Sequence, residues 1–233
     1  MKYLYDLWDD FISLLFPRLC CTCGEPLVRN EEVICTGCQV SISRTDYHLI
    51  PDNPVSRLFW GRCQIERAAA FSFYTRGSKI RKLVHKLKYE GLKEAGVTIG
   101  KIYAVSLLES GFLKGIDMII PVPLHPSRLR KRGFNQCDFI CDGLTFISRI
   151  PVEKSVLRRS SKSETQTRKS RYDRWLNVEG IFEVSDREKI AGKHILLVDD
   201  VITTGSTIEA CVNALHDAED IKVSVIALAV AVQ

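Results

Sequence analysis

One stretch constrains the fold more than any other: His194-Ile195-Leu196-Leu197-Val198-Asp199-Asp200-Val201-Ile202-Thr203-Thr204-Gly205-Ser206-Thr207. Its opening apolar run suits a strand buried on both faces, as happens in a parallel sheet covered by helices. Asp199 and Asp200 stand where that strand, read as 194–198, should end. Ligands of open α/β sheets bind outside the carboxyl ends of the strands, so the two acids fall at the expected mouth of a site. Thr203, Thr204, Gly205, Ser206 and Thr207 then open a helix over 206–215. A helix N-terminus offers unpaired N–H groups and partial positive charge, and small hydroxyl residues with one glycine let a phosphate approach the backbone. Paired carboxylates beside such a cradle suit a ligand with vicinal sugar hydroxyls or a metal ion. A Walker B strand also ends in acids, but it needs a P-loop, and the nearest approach, Gly96 to Lys101, has the wrong spacing. A receiver domain places its acidic strand near its start, whereas here a single strand follows.

The rest of the chain fits the same class. Periodicity predicts strands at 68–74, 117–123, 155–158, 180–184 and 222–232, and helices at 78–89, 93–108 and 135–148. This alternation implies an α/β fold with a mostly parallel sheet flanked by helices. The segment 159–171 has almost no apolar residues and reads as a loop. At 233 residues the chain has room for one such domain and a small appendage. Three parts emerge: 1–18, 19–63 and 64–233. The first is an amphipathic helix with Leu4, Leu7, Trp8, Phe11, Ile12, Leu15 and Phe16 at spacings of three and four. Asp6, Asp9 and Asp10 interrupt any signal-peptide core or membrane span.

The second part is defined by thiols. Of nine cysteines, five fall in the first 38 residues, and no secretion signal accompanies them. Cys20 and Cys23 form one C-x-x-C pair and Cys35 and Cys38 another. Two such pairs about a dozen residues apart suit one tetrahedral Zn²⁺, a closed shell with a structural rather than catalytic role. Cys21, next to the first ligand, is a possible substitute for it, and Cys63 reads as a buried thiol.

The net charge of +5 favours anionic partners without demanding nucleic acid. Its distribution is uneven. Arg128, Arg130, Lys131 and Arg132 suit pyrophosphate, nucleic acid or plain solvation. Lys79, Arg81, Lys82, Lys86 and Lys88 form a second cluster on a helix, and Arg168, Lys169, Arg171 and Arg174 a third.

The segment from Leu197 to Thr207 resembles the signature of type I phosphoribosyltransferases. That resemblance implies that Asp199 and Asp200 hold ribose hydroxyls and that Thr203, Thr204, Gly205, Ser206 and Thr207 hold the 5-phosphate of phosphoribosyl pyrophosphate, with Mg²⁺. It also implies that Pro121, Val122 and Pro123 form the turn that meets pyrophosphate, and that the basic loop after 159 closes over the ligand. Thr203 stands where the 6-oxopurine-salvage members have an aspartate base, which argues against that subgroup. The apolar N-terminal helix, the Phe16-Pro17-x-x-Cys20-x-x-Cys23 start of the zinc module, Arg132-Gly133-Phe134-Asn135-Gln136 and the spacing Gln166, Arg174, Asn177 together resemble the competence protein F (ComF) family. This resemblance implies a cytoplasmic bacterial protein tied to DNA uptake and working beside a helicase-like partner. It leaves two expectations open. One is a phosphoribosyltransferase of unknown acceptor. The other is a non-catalytic module that binds a nucleotide or single-stranded DNA.

Overall fold

The computed structural model describes residues 16–160 and 181–231. The helix expected over 1–18 lies almost wholly outside them, and so do Gln166, Arg168, Lys169, Arg171, Arg174 and Asn177.

Four parallel strands form the central sheet: β1 (Arg67–Tyr74), β2 (Met118–Pro121), β5 (His194–Ile202) and β6 (Lys222–Ala231), in the order β1-β6-β5-β2. Alternate strand residues face opposite layers. Leu196, Val198, Ile226 and Leu228 join Ile119 and Phe71 under three helices: α3 (Lys79–Tyr89), α4 (Lys93–Glu109) and α6 (Gln136–Ser148). Ile195, Leu197, Val223 and Val225 pack on the other side against Ile208, Val212 and Leu215 of α7 (Ser206–Leu215). The fold class is thus the expected one: a mostly parallel sheet flanked by helices.

Helix α3 buries Ile80, Leu83, Val84 and Leu87, the stripe its periodicity predicts, and Ser78 caps it by accepting from the Arg81 N–H. Helices α4 and α6 cross closely because Gly143 has no side chain; a Cβ there would run into the Val97 carbonyl.

Three features depart from the periodicity reading. Strand β5 continues past Val198 through both acids to Ile202, because the ten-residue β6 offers partners as far as Val230. The basic run after the second proline turn is a helix, α5 (Pro126–Arg132), started by Pro126 at its first position and His125 as cap. The short strands β3 (Leu157–Arg159) and β4 (Phe182–Val184) pair with each other, antiparallel, outside the main sheet.

Residues 19–63 contain two short α-helices, α1 (Thr36–Val40) and α2 (Pro54–Arg57), with a 3-10 turn at Tyr47–Leu49 between them, and are fastened to the sheet. Buried Asn53 donates to the carbonyls of Tyr47, Ile50 and Ala68, while Val55 and Phe59 sit in the core under α7. Among the described residues, no helix is long and apolar enough to cross a membrane.

Candidate functional site

A cavity of about 340 Å³ opens at the carboxyl end of β5 and β2. It is lined by Asp199, Asp200, Thr203 and Thr207 from β5 and the start of α7, and by Val122 and Pro123 after β2. Arg128, Arg132 and Gln136 enter from α5 and α6, Lys88 and Tyr89 from the end of α3, and Arg159 from β3. Elements far apart in sequence meet here because every main strand points its carboxyl end the same way.

The acids are held differently. Asp200 is 4% exposed. One of its oxygens accepts from Lys88 Nζ at 2.8 Å and the other from Gln136 Nε2 at 2.5 Å. Gln136 in turn accepts from Arg132 Nη1, and the Arg132 guanidinium lies 5.6 Å from the centre of the Tyr89 ring. Burial alone would lower the Lys88 ammonium, but the charge and hydrogen bond of Asp200 more than offset it, so the lysine stays charged. Asp199 Oδ1 accepts the Asp200 N–H at 2.8 Å and faces the buried Cys137 thiol at 3.8 Å. Burial, and then the charge of Asp200, hold Asp199 above the usual carboxylate range. Cys137 is pushed well up by burial and by the two carboxylates, so it remains a thiol.

The 121–123 turn is fixed by its backbone. The Val122 N–H donates to Val198 at 2.9 Å, and Asn135, the cap of α6, donates from its side chain to the Val122 carbonyl at 3.1 Å. Asn135 thereby couples the turn to the helix that supplies Gln136.

Of the residues singled out in the sequence, Lys88, Val122, Pro123, Arg128, Arg132, Gln136, Asp199, Asp200, Thr203 and Thr207 line this one cavity. Pro121 is the last residue of β2, and Thr204, Gly205 and Ser206 form the turn into α7 without lining it. The second basic cluster divides: Lys88 turns to Asp200, while Arg81, Lys82 and Lys86 line a separate groove of about 510 Å³ beside the cysteines. Four residues escape sequence reasoning: Lys88 as a partner of Asp200, Arg159, Phe59 and Arg62. Only Lys88 carries a local signal, lying four residues after buried Val84 at the margin of the apolar stripe.

Four donor atoms, the Sγ of Cys20, Cys23, Cys35 and Cys38, lie within 4.8 Å of one another. Cys23 and Cys35 are 3.7 Å apart, close to the roughly 3.8 Å edge of a tetrahedron with 2.3 Å metal–sulfur bonds. Backbone N–H groups of Cys35 and Cys38 point at the sulfurs of Cys20 and Cys35, at 3.3 and 3.4 Å, which favours thiolates. The donor set therefore fits a tetrahedral thiophilic ion. Cys21 is not in the cluster: its N–H donates to the Val33 carbonyl, and burial, then the charge of Cys20, push its thiol up to about 11. The cluster leans on α3, where Lys82 Nζ donates to the Thr22 carbonyl at 3.2 Å.

Comparison with known proteins matches this architecture. Residues 143–233 match the family model of the phosphoribosyl transferase domain. The chain is 30% identical over 207 residues to DNA utilization protein YhgH of Shigella flexneri, covering 84% of this chain and 89% of that one. It is 27% identical to competence protein F of Haemophilus influenzae, covering 81% and 86%. Among solved structures it is similar to the glutamine phosphoribosylpyrophosphate amidotransferase from B. subtilis, at 22% identity and a TM-score of 0.40 over 57% of this chain and 26% of that one. Identity of 30% to the YhgH protein over most of both chains means that the chain belongs to the competence protein F and YhgH family of phosphoribosyltransferase-like proteins.

Proposed function

We propose that the cavity at the end of β5 binds phosphoribosyl pyrophosphate or a related ribose phosphate. Asp199 and Asp200 take the ribose hydroxyls, the 203–207 segment takes the 5-phosphate, and Val122, Pro123, Arg128 and Arg132 take the pyrophosphate. The observation that carries the reading is the composition of the lining. Lys88, Arg128, Arg132 and Arg159 face Asp199 and Asp200, four cations to two carboxylates. A site built for a cation or a neutral sugar has no use for that excess. A ribose with a phosphate at one end and a pyrophosphate at the other does. Among the described residues, the buried Arg159 Nε has no hydrogen-bond partner, which leaves a donor for an incoming anion.

Mg²⁺ fits as a companion of the ligand rather than as a resident ion. Both Asp200 oxygens are engaged and Asp199 faces a thiol, a poor cage for a hard cation, whereas Mg²⁺ is commonly held by one or two carboxylates together with substrate phosphates. Bound there, it supplies charge neutralisation of the pyrophosphate. In an enzymatic role, an acceptor nucleophile attacks the anomeric carbon and pyrophosphate leaves. The chain contributes orientation and charge stabilisation. The acceptor is unassigned, since among the described residues the lining offers no carboxylate other than the ribose pair. The four-cysteine cluster holds a structural Zn²⁺, and the family relation supports a cytoplasmic role in DNA uptake or use. Thermal unfolding tests the ligand: at a hundredfold excess over Kd, Mg²⁺-phosphoribosyl pyrophosphate should stabilise the fold by about 2.7 kcal/mol, and no shift at saturating concentration would refute the assignment.

A second reading, a module for single-stranded DNA beside a helicase-like partner, draws on the groove between the cysteines and α3, where Arg81, Lys82, His85 and Lys86 face one space. Backbone binding there must weaken steeply with salt. A mobility-shift series with Arg81→Glu and Lys86→Glu tests it, and binding insensitive to salt and to both changes would exclude it.

A further inference from the structure

We infer that Arg62, which lies outside the matched phosphoribosyl transferase segment, is a positioning residue that fixes the 203–206 turn and thereby sets the affinity of the site for a 5-phosphate group. This rests on the ribose-phosphate reading above. The turn is short, and Thr203, Thr204 and Ser206 are exposed. Such a segment has many conformations open to it, and a phosphate cradle needs one. Its internal ties are few: Thr204 Oγ1 and Ser206 Oγ are 3.0 Å apart. The restraint comes from outside.

Arg62 Nη1 donates to the Thr204 carbonyl at 2.7 Å and to the Leu58 carbonyl at 3.0 Å. Its Nη2 reaches Ser206 Oγ at 3.4 Å, and Nε donates to Glu209 Oε2 at 3.1 Å, with Nη2 on the same carboxylate. The planar guanidinium thus spans the turn, the 58–62 segment and the first turn of α7, a geometry that a lysine cannot reproduce. Phe59 completes the grip. It is fully buried, and its ring lies 3.0 Å from where a Cβ on Gly205 would sit; Gly205 has φ +78, a conformation that favours glycine. Neither Arg62 nor Phe59 lines the cavity. They hold the turn from behind.

Arg62 has a second, electrostatic effect. Glu209 stands in the first turn of α7, where an unpaired carboxylate would repel the phosphate that the helix N-terminus attracts. Arg62 neutralises it, with side-chain exposures of 32% and 24% for the pair. The cysteine-bearing part of the chain therefore reaches the phosphate end of the site through 142 residues of sequence separation.

Titration calorimetry on the full zinc-loaded chain tests this, with Mg²⁺-phosphoribosyl pyrophosphate and Mg²⁺-pyrophosphate as separate probes. Arg62→Ala is expected to weaken phosphoribosyl pyrophosphate about tenfold to a hundredfold, the cost of one or two charge-assisted hydrogen bonds. Pyrophosphate, which uses the α5 end of the cavity, is expected to bind it as it binds wild type. Arg62→Lys, which restores the charge but not the fork, is expected to fall between and serves as the test if the alanine variant does not fold. Equal binding of phosphoribosyl pyrophosphate by wild type and both variants would overturn the inference, and so would parallel loss of both probes. Failure of wild type to bind phosphoribosyl pyrophosphate would instead remove the reading of the site, and this inference with it.

Discussion

Replacing Lys88 with methionine leaves Asp200 without its counter-ion. The side chains are 21% and 6% exposed, and their 2.8 Å contact links α3 to β5. Removing one member of a buried ion pair costs about 3–5 kcal/mol, because the survivor keeps its desolvation penalty. Two facts favour the lower end: Lys88 is partly hydrated, and Gln136 still donates to Asp200 at 2.5 Å. We therefore expect a loss of about 3 kcal/mol at pH 7.5, or about 6–12 °C in melting temperature for a chain of this length. Lys88→Met/Asp200→Asn should recover at least half of it, since the amide needs no counter-charge. Urea unfolding followed by circular dichroism, with zinc present throughout, measures both. A single variant within about 0.5 kcal/mol of wild type, the range of ordinary surface changes, would refute the argument, as would a double variant no more stable than the single one.

Two further predictions concern the thiols and the other acid. Cys23→Ser and Cys35→Ser should lose bound zinc while Cys21→Ser retains it, as read by metal analysis of purified protein; zinc loss in the Cys21 variant would contradict the geometry of the cluster. Asp199 binds its proton more tightly in the folded chain, so wild-type stability should fall as pH rises from the free aspartate range toward about 7. Asp199→Asn should flatten that slope and be the more stable protein at pH 8, and identical pH profiles for the two proteins would exclude a raised Asp199.

Much of the fold is legible in the sequence because its signals are local. The apolar run of β5, the stripe of α3 and the helix read over 135–148 each rest on signals within a few turns of chain, and the structure follows them closely. The paired C-x-x-C spacing is equally local, since four sulfurs on two tight turns can meet at one point. The two acids announce a site because strand and helix adjoin them directly. What escapes notice depends on the sheet order. Lys88 meets Asp200 across 112 residues and Arg62 meets Thr204 across 142, and both contacts exist only because β1, β6, β5 and β2 stand in that order. Periodicity places Lys88 at the margin of the apolar stripe but does not name its partner, and nothing near Arg62 marks it as the brace of a turn in the last third of the chain. The extension of β5 through the acids has the same origin, because a strand ends where its neighbours stop offering partners.

Calorimetric titration of Mg²⁺-phosphoribosyl pyrophosphate into wild type and Asp200→Asn tests the central claim most directly. The account predicts micromolar binding to wild type, about −8 kcal/mol, and its near disappearance in a variant that remains folded and zinc-loaded. Absence of heat in both proteins, or equal affinity in both, would contradict the assignment of Asp200 and its cavity to a ribose phosphate.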